Sequence, residues 1–220
     1  MSRPQKVWTV VVGGGSGQRY GRPKQYELLG DERVIDRSRR VAAGVSDGVV
    51  VVVPAVDAAR EAAVAGGGTR SASVRAGLGA VPADADVICV HDAARPLASP
   101  QLYERVIEAV VAGADAAVPG VPVADTIKVV DPDGRVLATP DRASLVAVQT
   151  PQAFRAAVLR AAHAAAGEAT DDAALVEQAG GRVVVVPGEA LNRKITHPDD
   201  LEWARDLLAV RPDHEGATPV

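Results

Sequence analysis

Cysteine, methionine and phenylalanine each occur once in the 220 residues, and aromatic residues make up only 3% of the chain. The single cysteine, Cys89, excludes an intramolecular disulfide framework and a cysteine metal cluster. It sits in the apolar run Val87-Ile88-Cys89-Val90 and reads as a core residue. The four histidines, His91, His163, His197 and His214, lie far apart without ligand spacing, so no zinc site is expected. Positive charge is not in excess. The formal net charge is −4, so any anion site must be local, and a nucleic-acid partner is not expected. No apolar run approaches the roughly 18 residues of a membrane helix, and no membrane partner is expected. Residues 1–6 lead directly into a strand-like run rather than a signal peptide, which makes a cytoplasmic location the expectation.

Several catalytic templates are missing too. No Gly-x-x-x-x-Gly-Lys-Ser/Thr loop occurs. The dinucleotide fingerprint fails because Gly13-x-Gly15 is followed by Gln18 where glycine or alanine is needed, which argues against a nicotinamide dehydrogenase. No Ser-His-Asp or Cys-His arrangement is recognisable in the sequence.

What is present is a glycine turn with cations beyond it. The apolar run Val7–Val12 reads as a buried strand, and GGGSGQRYGRPKQY, residues 13–26, follows it. Gly13, Gly14, Gly15 and Gly17 expose main-chain N–H groups without side-chain bulk. Arg19 and Lys24 supply fixed positive charge close behind. A strand, a glycine turn and nearby cations together suit a polyphosphate. The plainer reading is a glycine turn with two surface cations.

Strand-like runs fall near 7–12, 49–53, 87–91, 115–118 and 182–186. Helical patterns fall near 33–43, 56–65, 71–80, 99–112, 154–166, 171–179 and 199–209. Continuous apolar strands alternating with helices predict an α/β fold, a mostly parallel sheet with helices on both faces. A single domain over 1–210 is expected, with a polar, disordered tail over 211–220. Residues 121–145 break the rhythm with short β-like pieces around Asp131-Pro132-Asp133-Gly134, a hairpin signal. Such a hairpin is expected to project as a β arm, the alternative being an edge hairpin folded on its own domain. Trp8 and Trp203 read as packing residues.

Further polar motifs follow the other strands. Gly66-Gly67-Gly68-Thr69-Arg70-Ser71-Ala72-Ser73 is a second glycine turn running into a helix. His91-Asp92-Ala93-Ala94-Arg95-Pro96 ends the third strand, and Asn192-Arg193-Lys194-Ile195-Thr196 follows the last. In open α/β sheets, ligands bind beyond the carboxyl ends of strands, where these motifs converge. Arg70 reads equally as a site cation or a solvated helix-start residue. Asp171 and Asp172 read as structural first-turn residues behind a Thr170 cap.

Seven motifs in order, GGGSGQRYGRPKQY, GGGTRSASVRAGL, VHDAARP, DTIK, TPQAF, TDDAALVE and NRKIT, closely resemble the family of 2-C-methyl-D-erythritol 4-phosphate cytidylyltransferases of the non-mevalonate isoprenoid pathway. The resemblance runs from about residue 7 to about 208. It implies a Rossmann-like nucleotidyltransferase fold, a homodimer with interlocked β arms, CTP and Mg²⁺. It implies transfer of a cytidylyl group to the sugar-alcohol phosphate with release of pyrophosphate. By the same resemblance, Gly13, Gly14 and Gly15 contact the nucleotide, and Gly67 and Ser73 recognise the base and its surroundings. Arg19 and Lys24 stabilise the reacting triphosphate. Asp92, Arg95, Thr126, Arg142, Thr170 and Lys194 match substrate contacts, with Thr126 and Arg142 contributed by the other subunit. Arg142 and Lys194 count with Arg19 and Lys24 as catalytic residues. Asp92 is the candidate metal ligand, because carboxylates suit Mg²⁺. Its alternative is capping the next turn and pairing with Arg95.

The chain departs from the pattern in places. Val12-Gly13-Gly14-Gly15 stands for the usual Pro-Ala-Ala-Gly, and only four residues separate Arg19 from Lys24. Gly68 replaces a common acidic residue, and Arg193 an apolar one. Two other readings stay open: a ribitol 5-phosphate cytidylyltransferase, which shares most of the motifs, and a noncatalytic nucleotide sensor.

Overall fold

A computed structural model describes residues 5–15, 20–165, 169 and 171–210. Twelve strands and six helices follow in the order β1 (Val7–Val12), β2 (Leu28–Leu29), β3 (Glu32–Arg33), α1 (Val34–Ala43), β4 (Gly48–Val53), β5 (Val64–Ala65), α2 (Arg70–Ala80), β6 (Val87–Asp92), α3 (Pro100–Val111), β7 (Ala116–Pro122), β8 (Val129–Val130), β9 (Val136–Ala138), β10 (Val146–Val148), β11 (Gln152–Arg155), α4 (Ala156–Ala165), α5 (Asp172–Gln178), β12 (Val183–Pro187) and α6 (Pro198–Val210).

The main sheet has eight strands in the order β10-β7-β11-β6-β1-β4-β5, with β12 paired to β7. β1 lies parallel to β4 and β6, and β12 lies parallel to β7. β11 is antiparallel to both β6 and β7, and β10 is antiparallel to β7. Six strands therefore share one direction, as the valine-rich runs predict.

Alternation along β1 explains why both faces are covered. Val10 belongs to a core with Val74 and Leu78 of α2, Leu159 of α4 and Leu175 of α5. Its neighbour Val11 faces the other way, into a core with Ile35 of α1 and Leu102 and Val106 of α3. Cys89 is fully buried in that second core, and desolvation pushes its thiol up to about 12. Trp8 and Trp203 both pack against core clusters, as the sequence implies.

Two expected helices come out differently. Residues 55–62 form turns, and Val64–Ala65 pairs with β4 as an edge strand, so no helix spans 56–65. Tertiary contacts override alanine's helical preference here. Arg60 leaves to lie 4.9 Å over the Tyr26 ring, and Ala62 takes a φ of 48°. The helix expected from 154 begins at Ala156, because Gln152–Arg155 is a strand wedged between β6 and β7. Phe154 in that strand is fully buried.

The hairpin is present. Asp131 accepts N–H bonds from Asp133 and Arg135, and Gly134 takes the left-handed φ of 82° that the turn requires. The base of the arm is less separate than predicted, since Val121 and Pro122 still pair with β10 in the main sheet. Beyond it, Val129, Val130, Val136 and Leu137 are 45–62% exposed, so the arm does not pack on its own domain.

Candidate active site

The carboxyl ends of β1 and β6 open onto a cleft of about 440 Å³. Its lining includes Gly13, Gly14, Gly15, Lys24, Gly67, Ser73, Asp92 and Lys194, so four motifs far apart in sequence meet there. Arg19 and Thr170 lie outside the described residues.

Close packing accounts for two of the glycines. The Gly13 N–H donates to the Val52 carbonyl at 2.7 Å, and a Cβ at Gly13 would meet Ile35 Cδ1 at 2.9 Å. A Cβ at Gly67 would lie 2.5 Å from that of Ala72, in the first turn of α2. Thr69 caps that helix by accepting the Ala72 N–H, and Ser73 donates its hydroxyl to the Thr69 carbonyl at 2.9 Å. Lys24 reaches the cleft from a short 3₁₀ turn, Lys24–Tyr26, that follows Pro23.

Asp92 is the electrostatic centre. Lys194 Nζ donates to its Oδ2 at 2.6 Å, and Arg70 Nε donates to its Oδ1 at 3.2 Å. Burial pushes the carboxyl up, but the Arg70 and Lys194 charges outweigh it and hold the group well below the usual carboxylate range. Both Asp92 oxygens are engaged by cations, so a metal ion there would share or displace those contacts. Among the described residues no group of three His, Cys, Asp or Glu side chains gathers to hold a metal ion.

His91 pins Asp92 from behind. Its Nε2 faces the Arg95 carbonyl at 3.2 Å, so that nitrogen carries the proton. Nδ1 then accepts from the Thr150 hydroxyl at 3.2 Å, while Thr150 Oγ1 accepts the Asp92 N–H at 3.0 Å. Desolvation lowers the His91 pKa to about 4, which keeps the ring neutral.

Other expected site residues lie elsewhere. Arg95 does not line the cleft. It donates to the carbonyls of Asn192 at 2.7 Å and Val148 at 3.4 Å, bracing the Lys194 loop against the base of the arm. Asp92 and Arg95 share one turn, through an Arg95 N–H to Asp92 carbonyl bond, and the Arg95 charge adds to those that hold the Asp92 carboxyl down. Thr126 and Arg142 are exposed on the arm outside this chain's cleft, with Arg142 donating to the Ala124 carbonyl at 2.8 Å.

Arg70 and Asp172 carry more than the sequence reading assigned. Arg70 lines the cleft and spans Asp92 and Asp172. Asp172 is fully buried, and Asp171, not Thr170, caps α5 by accepting the Ala174 N–H. The available signal is the place of Arg70 as the first helical residue after the glycine turn and its Thr69 cap; the partner 102 residues away leaves none.

The mostly parallel sheet, the glycine turn at the end of β1 and the cations around its cleft define an α/β protein of the nucleotidyltransferase type. Within that class, the chain belongs to the family described as 2-C-methyl-D-erythritol 4-phosphate cytidylyltransferase, whose model matches residues 7–209. It is 48% identical to the enzyme of that name from Rhodococcus jostii, over 92% of this chain and 95% of the relative. It is 50% identical to a bifunctional enzyme, IspD/IspF, from Anaeromyxobacter dehalogenans, over 94% of this chain. The chain spans 58% of the length of that bifunctional relative. The crystal structure of 2-C-methyl-D-erythritol 4-phosphate cytidylyltransferase from Thermus thermophilus superposes with a TM-score of 0.78 at 34% identity, covering 93% of this chain and 100% of that one.

Proposed function

We propose that this chain transfers a cytidylyl group from CTP to 2-C-methyl-D-erythritol 4-phosphate. An oxygen of the sugar phosphate attacks the α-phosphorus of CTP. The new P–O bond forms as the bond to the bridging oxygen breaks, and pyrophosphate leaves with that electron pair. The observation that carries this reading is the meeting of Lys24 and Lys194 with the glycine turn in one cleft. Nucleophile and electrophile are both anions, so placed cations lower the barrier by neutralising oxygens as bonds shift. The substrate phosphate is already ionised, which is why no protein nucleophile or base is needed. CTP enters as its Mg²⁺ complex, the metal riding on the triphosphate as part of the substrate.

The active unit is a homodimer. Four apolar residues of the arm are 45–62% exposed, and Thr126 and Arg142 lie outside their own cleft. Both features fit an arm that reaches a neighbouring subunit and delivers Arg142 to its sugar phosphate.

Pyrophosphate release in the presence of Mg²⁺, CTP and methylerythritol phosphate tests the assignment. Turnover with ribitol 5-phosphate alone would overturn the substrate and keep the reaction. CTP binding without turnover on either sugar phosphate would leave a nucleotide sensor.

A further inference from the structure

Behind the cleft, a row of alternating charges runs into the core. Lys194 meets Asp92, Asp92 meets Arg70, and Arg70 Nη1 donates to Asp172 Oδ2 at 2.7 Å. The other oxygen of Asp172 lies 2.9 Å from His163 Nε2. The side chains of Asp172 and His163 are only 1% and 2% exposed, whereas those of Arg70 and Lys194 are 26% and 38% exposed, to the cleft they line. The row is thus buried at one end and borders the cleft at the other.

We propose that Asp172 and Arg70 are positioning residues for the transfer: Asp172, held by His163, fixes the Arg70 guanidinium, and Arg70 fixes the Asp92 carboxylate that aims Lys194. The inference rests on the reaction proposed above and extends it to residues that touch no reacting atom.

Stability alone is a poor reason for this arrangement. Apolar residues of similar volume often serve at least as well as a buried ion pair. What the row supplies is orientation. The planar fork of Arg70 places Nε on one carboxylate and Nη1 on the other, so two anions from β6 and α5 define its plane. Without it, Asp92 would keep Lys194 as its sole cationic hydrogen-bond partner among the described residues. The carboxylate would then follow the ammonium instead of directing it. A lysine at position 70 keeps the charge but cannot make the fork.

The test compares Asp172→Asn, Arg70→Lys and the double variant. Asparagine keeps the shape, accepting from Arg70 while its amide faces a His163 ring that changes tautomer. Each single variant should lower kcat by about 10–10²-fold, the scale of a small misplacement of reacting groups. KM for CTP should change little. The double variant should be no worse than the poorer single, because both act along one path. Wild-type kcat in folded Asp172→Asn, or losses that multiply in the double variant, would overturn the proposal.

If Asp172→Asn does not fold, Arg70→Lys with and without His163→Gln carries the same comparison. Independently of turnover, the Arg70 Nε–H resonance should be protected from exchange in wild type and lose protection in Asp172→Asn. An unchanged resonance would overturn the clamp. A wild-type protein with a protected resonance but no turnover would instead overturn the reaction proposed above.

Discussion

The Lys194 ammonium sits 2.6 Å from Oδ2 of Asp92, joining the loop after the last strand to the carboxyl end of β6 across 102 residues. Asp92 is only 8% exposed, yet it stays ionised because Lys194 and Arg70 flank it. The pair places a cation at the rim of the cleft without leaving its counter-charge unmatched in the protein.

Breaking that pair should separate catalysis from folding. Asp92→Asn should lower kcat by about 10²-fold, the scale of losing one preorganised group. Its stability cost should be about 1–3 kcal/mol, below the value for a fully buried pair, because the Lys194 side chain is 38% exposed. Steady-state kinetics and urea unfolding measure the two. A kcat near wild type would remove Asp92 from the transfer.

Lys24 lines the cleft from a short turn rather than a core element. Lys24→Ala should therefore keep the fold and lose about 10²–10³-fold in kcat at saturating CTP. Arg19→Ala, in the residues between the glycine turn and Lys24, is expected to behave alike. Near-normal turnover in either variant would show that its charge is not used on the triphosphate.

The arm predicts a composite site. Arg142→Ala and Lys24→Ala homodimers should each be nearly inactive. A heterodimer of the two carries both lesions in one site and neither in the other. It should regain up to about half of wild-type activity, the value for two independent sites in a symmetric dimer. Verified heterodimers without recovery would return Arg142 to its own subunit.

His91 predicts an acid-sensitive fold. Its folded pKa of about 4 lies below the ordinary value of 6.5, so the unfolded chain binds more protons between these limits. Stability should fall as pH drops from 6.5 to about 4, by up to a few kcal/mol. Asp92 is lowered from 3.8, so its own contribution is lost only below that range. The slope of unfolding free energy against pH between 6.5 and 4 should flatten in His91→Gln. An unchanged slope would assign the sensitivity to another group.

Much of the site was legible because short motifs carry their own geometry. Gly13 and Gly67 sit where a Cβ would press on Ile35 and Ala72, and Lys24 follows the first turn at a short spacing. The Asp131–Gly134 turn declared the hairpin for the same local reason. The 56–65 segment misled because alanine favours a helix wherever nothing competes, whereas the open edge of β4 and the Tyr26 ring do compete. Strand β11 was hidden because four residues, Gln152–Arg155, carry too little pattern to outweigh the helix that follows.

The sequence by itself determined the class of fold, the two glycine turns and the arm, because each is written in neighbouring residues. Only the tertiary structure decided what the charged residues do. It set Arg95 on the carbonyls of Asn192 and Val148, engaged both oxygens of Asp92 with cations, and made Asp172 the partner of Arg70. Those outcomes depend on pairings across 102 residues and on a buried site where an unmatched charge is costly, so spacing along the chain leaves no trace of them.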